Sequence, residues 1–174
     1  MLYQNIVEEG CAVVSKDMNL SVEQKEKARR RIMEYPLPYV RYRLETERII
    51  PNDQIDLAID EWRKFMVTVL YADKSVGMIS PIVDEVWHAH ILFTREYAEF
   101  CQNCFETFVG HAPNWPGSPS DGTGGRTFIK LYEKLFGDLP SIWTDHQVGP
   151  CTWEDCTVDP QCDGDDCSTQ GVGG

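Results

Sequence analysis

Four histidines occur in this 174-residue chain, and two of them fall in one run, Ile82-Val83-Asp84-Glu85-Val86-Trp87-His88-Ala89-His90. Imidazoles and carboxylates are ligands that zinc and non-haem iron accept, so the spacing of these groups decides what they can do. If the run is helical, Asp84 and His88 are four apart and project from one face, one turn from each other. So placed, they can share a metal ion, or the carboxylate can fix the tautomer of the imidazole. His90 lies about 200° round such a helix from His88, and one straight helix cannot easily aim both at one atom. A further ligand must come from a distant segment. His111, beside Gly110 and close to Pro113, stands in a turn that could fold back. Asp84, His88 and His111 together would give two histidines and a carboxylate with open positions, a set suited to zinc or iron(II). Asp84, His88, His90 and His111 are therefore the candidate metal ligands. In the competing reading, the WHxH segment only builds core and its histidines are hydrogen-bonded inside it. A third reading is a metal-dependent enzyme, with an imidazole or a metal-bound water as base.

The seven cysteines form two groups of interest. Cys101 and Cys104 have the C-x2-C spacing of half a zinc site. His90 would sit about 16 Å away along a straight helix, too far for joint ligation. A cluster with His111 is one reading of this pair; two small buried apolar side chains is the other. Cys151, Cys156, Cys162 and Cys167 follow as C-x4-C-x5-C-x4-C, interleaved with Asp155, Asp159, Asp163, Asp165 and Asp166. They are candidate ligands for a soft metal, or part of an acidic appendage. Nothing local pairs a histidine with a cysteine as nucleophilic catalysis requires.

Helices are what must position these groups. Ser21 and Gln24 make a capping box for a helix over 22–35, which Pro36 and Pro38 end. Residues 39–50 read either as an extended arm or as another helical stretch. Pro51-Asn52 opens a helix through Tyr71, its apolar face carried by Ile55, Leu57, Ile59, Trp62, Phe65, Met66, Val69 and Leu70. Ser80 as N-cap and Pro81 at the first position start a third helix. It runs to about Phe108 and stops at Gly110, a length that implies a kink. Three prolines and four glycines make 113–125 a loop. Residues 126–136 form a short amphipathic helix closed by Gly137, and 139–143 pack back onto the body. The expected fold is mainly α: a helical domain of four or so helices over 1–147, then a disordered or irregular Cys/Gly/Asp-rich tail over 148–174.

Composition limits the partners. The net charge of −12 argues against nucleic acid, which needs a basic surface. The local cluster Lys25, Lys27, Arg29, Arg30, Arg31, Arg41, Arg43 and Arg48 reads first as a solvated helix face. A protein partner docked through the acidic surface or the tail remains open. No apolar run reaches the roughly 20 residues of a membrane span. The N-terminus lacks the basic and apolar regions of a signal peptide, so a cytoplasmic location with reduced thiols is expected.

The stretch Val83-Asp84-Glu85-Val86-Trp87-His88-Ala89-His90-Ile91-Leu92, followed by Thr94-Arg95-Glu96-Tyr97 and Cys101, resembles the glycine-rich domain-containing protein-like family, a domain of unknown function with a WHxH motif. The later family pattern of a Gly, a His-His pair and a Pro appears here as Gly110-His111-Ala112-Pro113, with one histidine of the pair. Leu131 to Pro140 and Trp143 are similar to the family's closing helix, and Gly- or Cys-rich tails accompany many members. The likeness covers roughly 51–143. It implies a largely α-helical fold and no settled activity.

Overall fold

Apolar residues recurring every three or four positions make α3 (Ile55–Tyr71) the centre of the molecule: Ile55, Ala58, Ile59, Trp62, Phe65, Met66, Val69 and Leu70 are all buried. The computed structural model describes residues 11–13, 20–112 and 123–144, and among these the fold is mainly α. Around α3 pack α1 (Val22–Glu34), α2 (Pro38–Glu47), α4 (Pro81–Leu92) and α6 (Thr123–Phe136), while α5 (Thr94–Phe105) lies against α1 and α4. No helix among the described residues is long and apolar enough to cross a membrane.

Helix starts follow local chemistry. Ser21 Oγ accepts from the Gln24 amide at 3.2 Å while Gln24 Oε1 accepts from the Ser21 amide at 2.8 Å, which closes the capping box of α1. The 39–50 segment resolves as helix: Pro38 occupies its first position, Val40 and Leu44 face the core, and left-handed Arg48 ends it. The basic residues of α1 and α2 are largely committed to the fold. Lys25 lies over the Tyr71 ring, Arg29 over Phe136, and Arg31 Nη1 donates to the Asn103 carbonyl at 2.8 Å. Arg41 is paired with Glu45 and Asp56, and Arg43 with Glu47.

The helix expected from Ser80 to about Phe108 is two helices. At Phe93 the backbone leaves helical values (φ −88°, ψ 68°), and the chain resumes as α5, which ends at Phe105 before left-handed Glu106. Beyond it, β2 (Gly110–Ala112) pairs antiparallel with β1 (Cys11–Val13), with Ala12 opposite His111. Two three-residue strands carry too little alternation to be seen in sequence.

The last helix starts at Thr123, earlier than expected, because its first turn lies against the backbone of 76–77. A Cβ on Gly77 would fall 2.7 Å from the Gly125 nitrogen, and one on Gly124 would fall 2.9 Å from the Gly77 nitrogen. Only glycines let the two backbones approach so closely. The 3-10 turn Ser141–Trp143 then returns to the core as expected, burying Ile142 and Trp143. It is held by Glu61, a buried carboxylate on α3. Glu61 Oε2 accepts from Tyr132 Oη and from Trp143 Nε1, both at 2.6 Å, and Lys64 Nζ lies 2.6 Å from Oε1. Residues 148–174, with Cys151, Cys156, Cys162 and Cys167, lie outside the described residues.

Candidate metal centre

Ser80 sets the position of Asp84. Its hydroxyl accepts from the Val83 amide at 3.3 Å, its carbonyl accepts from the Asp84 amide at 2.9 Å, and Pro81 supplies a preset φ at the first helical position. The carboxylate therefore sits in the first turn of α4, where the helix dipole favours negative charge. One turn later on the same face is His88, half-exposed, with Nε2 at 3.4 Å from Asp84 Oδ2. His111, on β2 and only 10% exposed, brings its Nε2 to 3.0 Å from Asp84 Oδ1. The two imidazole rings stand edge to face at 4.9 Å. Each of the three residues offers a ligand atom within 4.8 Å of the other two.

These distances have chemical content. Ligand atoms about 2.1 Å from one ion and 90° to 110° apart are separated by roughly 3.0–3.4 Å. Both carboxylate–imidazole separations fall in that range, and the third pair lies within 4.8 Å. An imidazole nitrogen facing a carboxylate oxygen must either carry a proton or share a cation with it. Here one carboxylate faces two such nitrogens. On the far side of the His88 ring, Nδ1 lies 3.8 Å from Glu85 Oε1. That separation exceeds a hydrogen bond, so Glu85 adds negative charge beside the ring without fixing its tautomer. Glu85 was legible as the i, i+3 neighbour of His88, yet sequence reasoning did not single it out.

His90 is not brought to this cluster, which corrects its place among the candidate ligands. It is fully buried on the opposite side of α4, as its position about 200° round the helix requires. Its ring lies among Tyr39, Trp62, Tyr97 and Phe100, at centroid distances of 5.0–5.6 Å. Nε2 is 3.0 Å from the Tyr39 hydroxyl, and Nδ1 has no hydrogen-bond partner among the described residues. Burial pushes its pKa down to about 3, against a smaller opposing pull from Glu96. His90 is a neutral core residue. Cys101 and Cys104 also belong to the core: burial raises both thiols, Cys104 to about 12, so they stay protonated and poor as ligands.

With the geometry in view, the likeness to known sequences can be placed on it. A family described as UCP032817-like matches residues 27–118, just over half of the 174. The chain belongs to the UCP032817-like family. No curated protein and no solved structure matches it. The UCP032817-like region holds Asp84, His88 and His111 and all of α2 to α5, and it ends before α6. The candidate cluster thus lies wholly within the matched region, whereas Tyr132 and Trp143, the distant partners of Glu61, lie outside it.

Proposed function

We propose that this protein is a divalent transition-metal-binding helical domain, with Asp84, His88 and His111 as ligands and zinc or iron(II) as the ion. The observation that carries the reading is that both oxygens of one half-buried carboxylate face imidazole nitrogens, at 3.0 and 3.4 Å. Two histidines and one carboxylate leave coordination positions open on the His88 side, which solvent reaches. A bound water there would have its pKa lowered and could serve as a nucleophile or base, so the site is suited to hydrolytic chemistry as well as to simple binding. The setting that fits is cytoplasmic, where Cys101 and Cys104 stay reduced. Nucleic acid does not fit as a partner, because the chain's charge of −12 repels phosphates.

The test is a titration of metal-free, untagged protein with Zn²⁺ and with Co²⁺, read by calorimetry and by elemental analysis after gel filtration. One equivalent is expected, with His88→Ala, Asp84→Asn and His111→Ala each abolishing it and His90→Phe retaining it. Equal stoichiometry in wild type and the three ligand variants would overturn the assignment. So would complete loss on deletion of 150–174 alone, which would move the site to the four tail cysteines.

A further inference from the structure

His111 reaches Asp84 from a strand that no helix carries, so something else must set its position. A hydrogen-bond relay from α4 through α5 ends on the residue two before it. Trp87 Nε1, on α4, donates to the Tyr97 hydroxyl at 2.9 Å, and that hydroxyl donates onward to the Val109 carbonyl at 2.7 Å. The Val109 backbone also faces the Cys101 sulfur, one turn along α5 from Tyr97, where it opposes the rise that burial gives this thiol. Val109 is thereby held through its carbonyl, and all four residues are at most 1% exposed. From Val109 the chain passes through Gly110 to His111, whose ring meets Trp87 edge to face at 4.4 Å. His111 Nε2 then returns to Asp84, three residues before Trp87 on α4. The path Asp84, Trp87, Tyr97, Val109, His111 and back to Asp84 is closed.

We propose that Tyr97 is a positioning residue for the metal centre: its hydroxyl, relayed from Trp87 and backed by Cys101, holds the Val109–His111 strand so that His111 meets Asp84. The metal part of this inference rests on the function proposed above; the holding of His111 does not. A buried carbonyl and a buried indole N–H that lose their shared partner must find others, and the segment that can move to do so is the exposed-side strand, not either helix. Tyr97 touches none of the ligand atoms, so its effect on metal is indirect, as for groups that orient a ligating histidine from behind.

Tyr97→Phe removes only the oxygen and keeps the ring among His90, Phe100 and Phe108. Cys101→Ala is the second variant, in case the first fails to fold. Two readouts are taken on full-length protein. The first is the nuclear Overhauser contact between the Trp87 indole and the His111 ring in metal-free protein. The second is Co²⁺ affinity, with the visible spectrum of the bound ion. Tyr97→Phe is expected to lose the ring contact, to weaken Co²⁺ binding by roughly 10-fold to 100-fold and to alter the spectrum, with Cys101→Ala weaker in the same direction. Loss of the ring contact with no Co²⁺ bound even by wild type would uphold the positioning of His111 and overturn the metal reading. An unchanged ring contact, or unchanged Co²⁺ affinity after its loss, would overturn the role of Tyr97 and leave the metal reading standing.

Discussion

Two carboxylates organise the polar interior of this molecule, and they do it in opposite ways. Glu61 on α3 is 1% exposed, and each partner at its oxygens is a proton donor: a tyrosine hydroxyl, an indole N–H and an ammonium. Asp84 on α4 is 26% exposed in its side chain, and its partners are two imidazoles, groups that can donate a proton or give up a lone pair. The Glu61 cluster is saturated and has no further chemistry to offer. The Asp84 cluster can be satisfied by one N–H from each imidazole or, with those protons displaced, by a shared cation. Glu61 is thus surrounded by fixed donors, whereas Asp84 is surrounded by groups with two states.

The contrast can be broken most forcefully at Glu61. Glu61→Ala would strand Tyr132, Trp143 and Lys64, and a loss of roughly 3–5 kcal/mol in urea denaturation is expected, since removing one partner of a buried ionic network leaves the others uncompensated. Metal binding by the fraction that remains folded should be unaffected. A loss under about 1 kcal/mol would mean that water replaces the carboxylate, and the two clusters would no longer differ in kind.

Next in size is an acid effect from His90, the histidine that joined the core. Its folded pKa of about 3 is below the 6.5 of the unfolded chain, so between these values the unfolded state binds more protons. The associated stability is complete above about pH 6.5 and is lost as pH falls towards 3, by up to about 1.4 kcal/mol per pH unit. Tyr39 at its Nε2 and Glu96 nearby are the polar groups to which this histidine is coupled. Denaturation curves from pH 4 to 7 should be shallower in pH for His90→Phe; identical slopes would show that His90 is solvated.

The smallest effect sharpens the comparison from the other side. Asp84→Asn in metal-free protein should change stability by no more than about 1 kcal/mol, as for half-exposed ion pairs. Zinc at about 100 times its Kd should then stabilise wild type by about 2.7 kcal/mol and the variant not at all. A large metal-free loss in Asp84→Asn would put Asp84 in the same structural class as Glu61.

Local signals carried much of this into the sequence. Ser21 with Gln24, Ser80 with Pro81, and the apolar face from Ile55 to Leu70 announce their helices through chemistry within four residues. The same is true of the Asp84–His88 pair and of the separation of His88 from His90. Gly110 and Pro113 made His111 a candidate by implying a return of the chain, but not the strand that returns it. That strand pairs residue 12 with residue 111, and Glu61 draws partners 71 and 82 positions away. Neither contact leaves a periodicity to read. The break at Phe93 lacks proline and glycine, so only the length of the expected helix hinted at it.

The Ser80 hydroxyl also donates to the Ile142 carbonyl at 2.7 Å. Ser80 and the Glu61 cluster thus each take one partner from residues 141–143, the last described turn of the body. During synthesis, Ser80 would lack the Ile142 carbonyl and Glu61 the Trp143 indole until that turn is free to dock, with Lys64 and Tyr132 already able to reach the carboxylate. A chain stalled before that turn would leave Phe65 and Phe128 without the Trp143 ring that packs on them, an apolar surface of the kind chaperones bind.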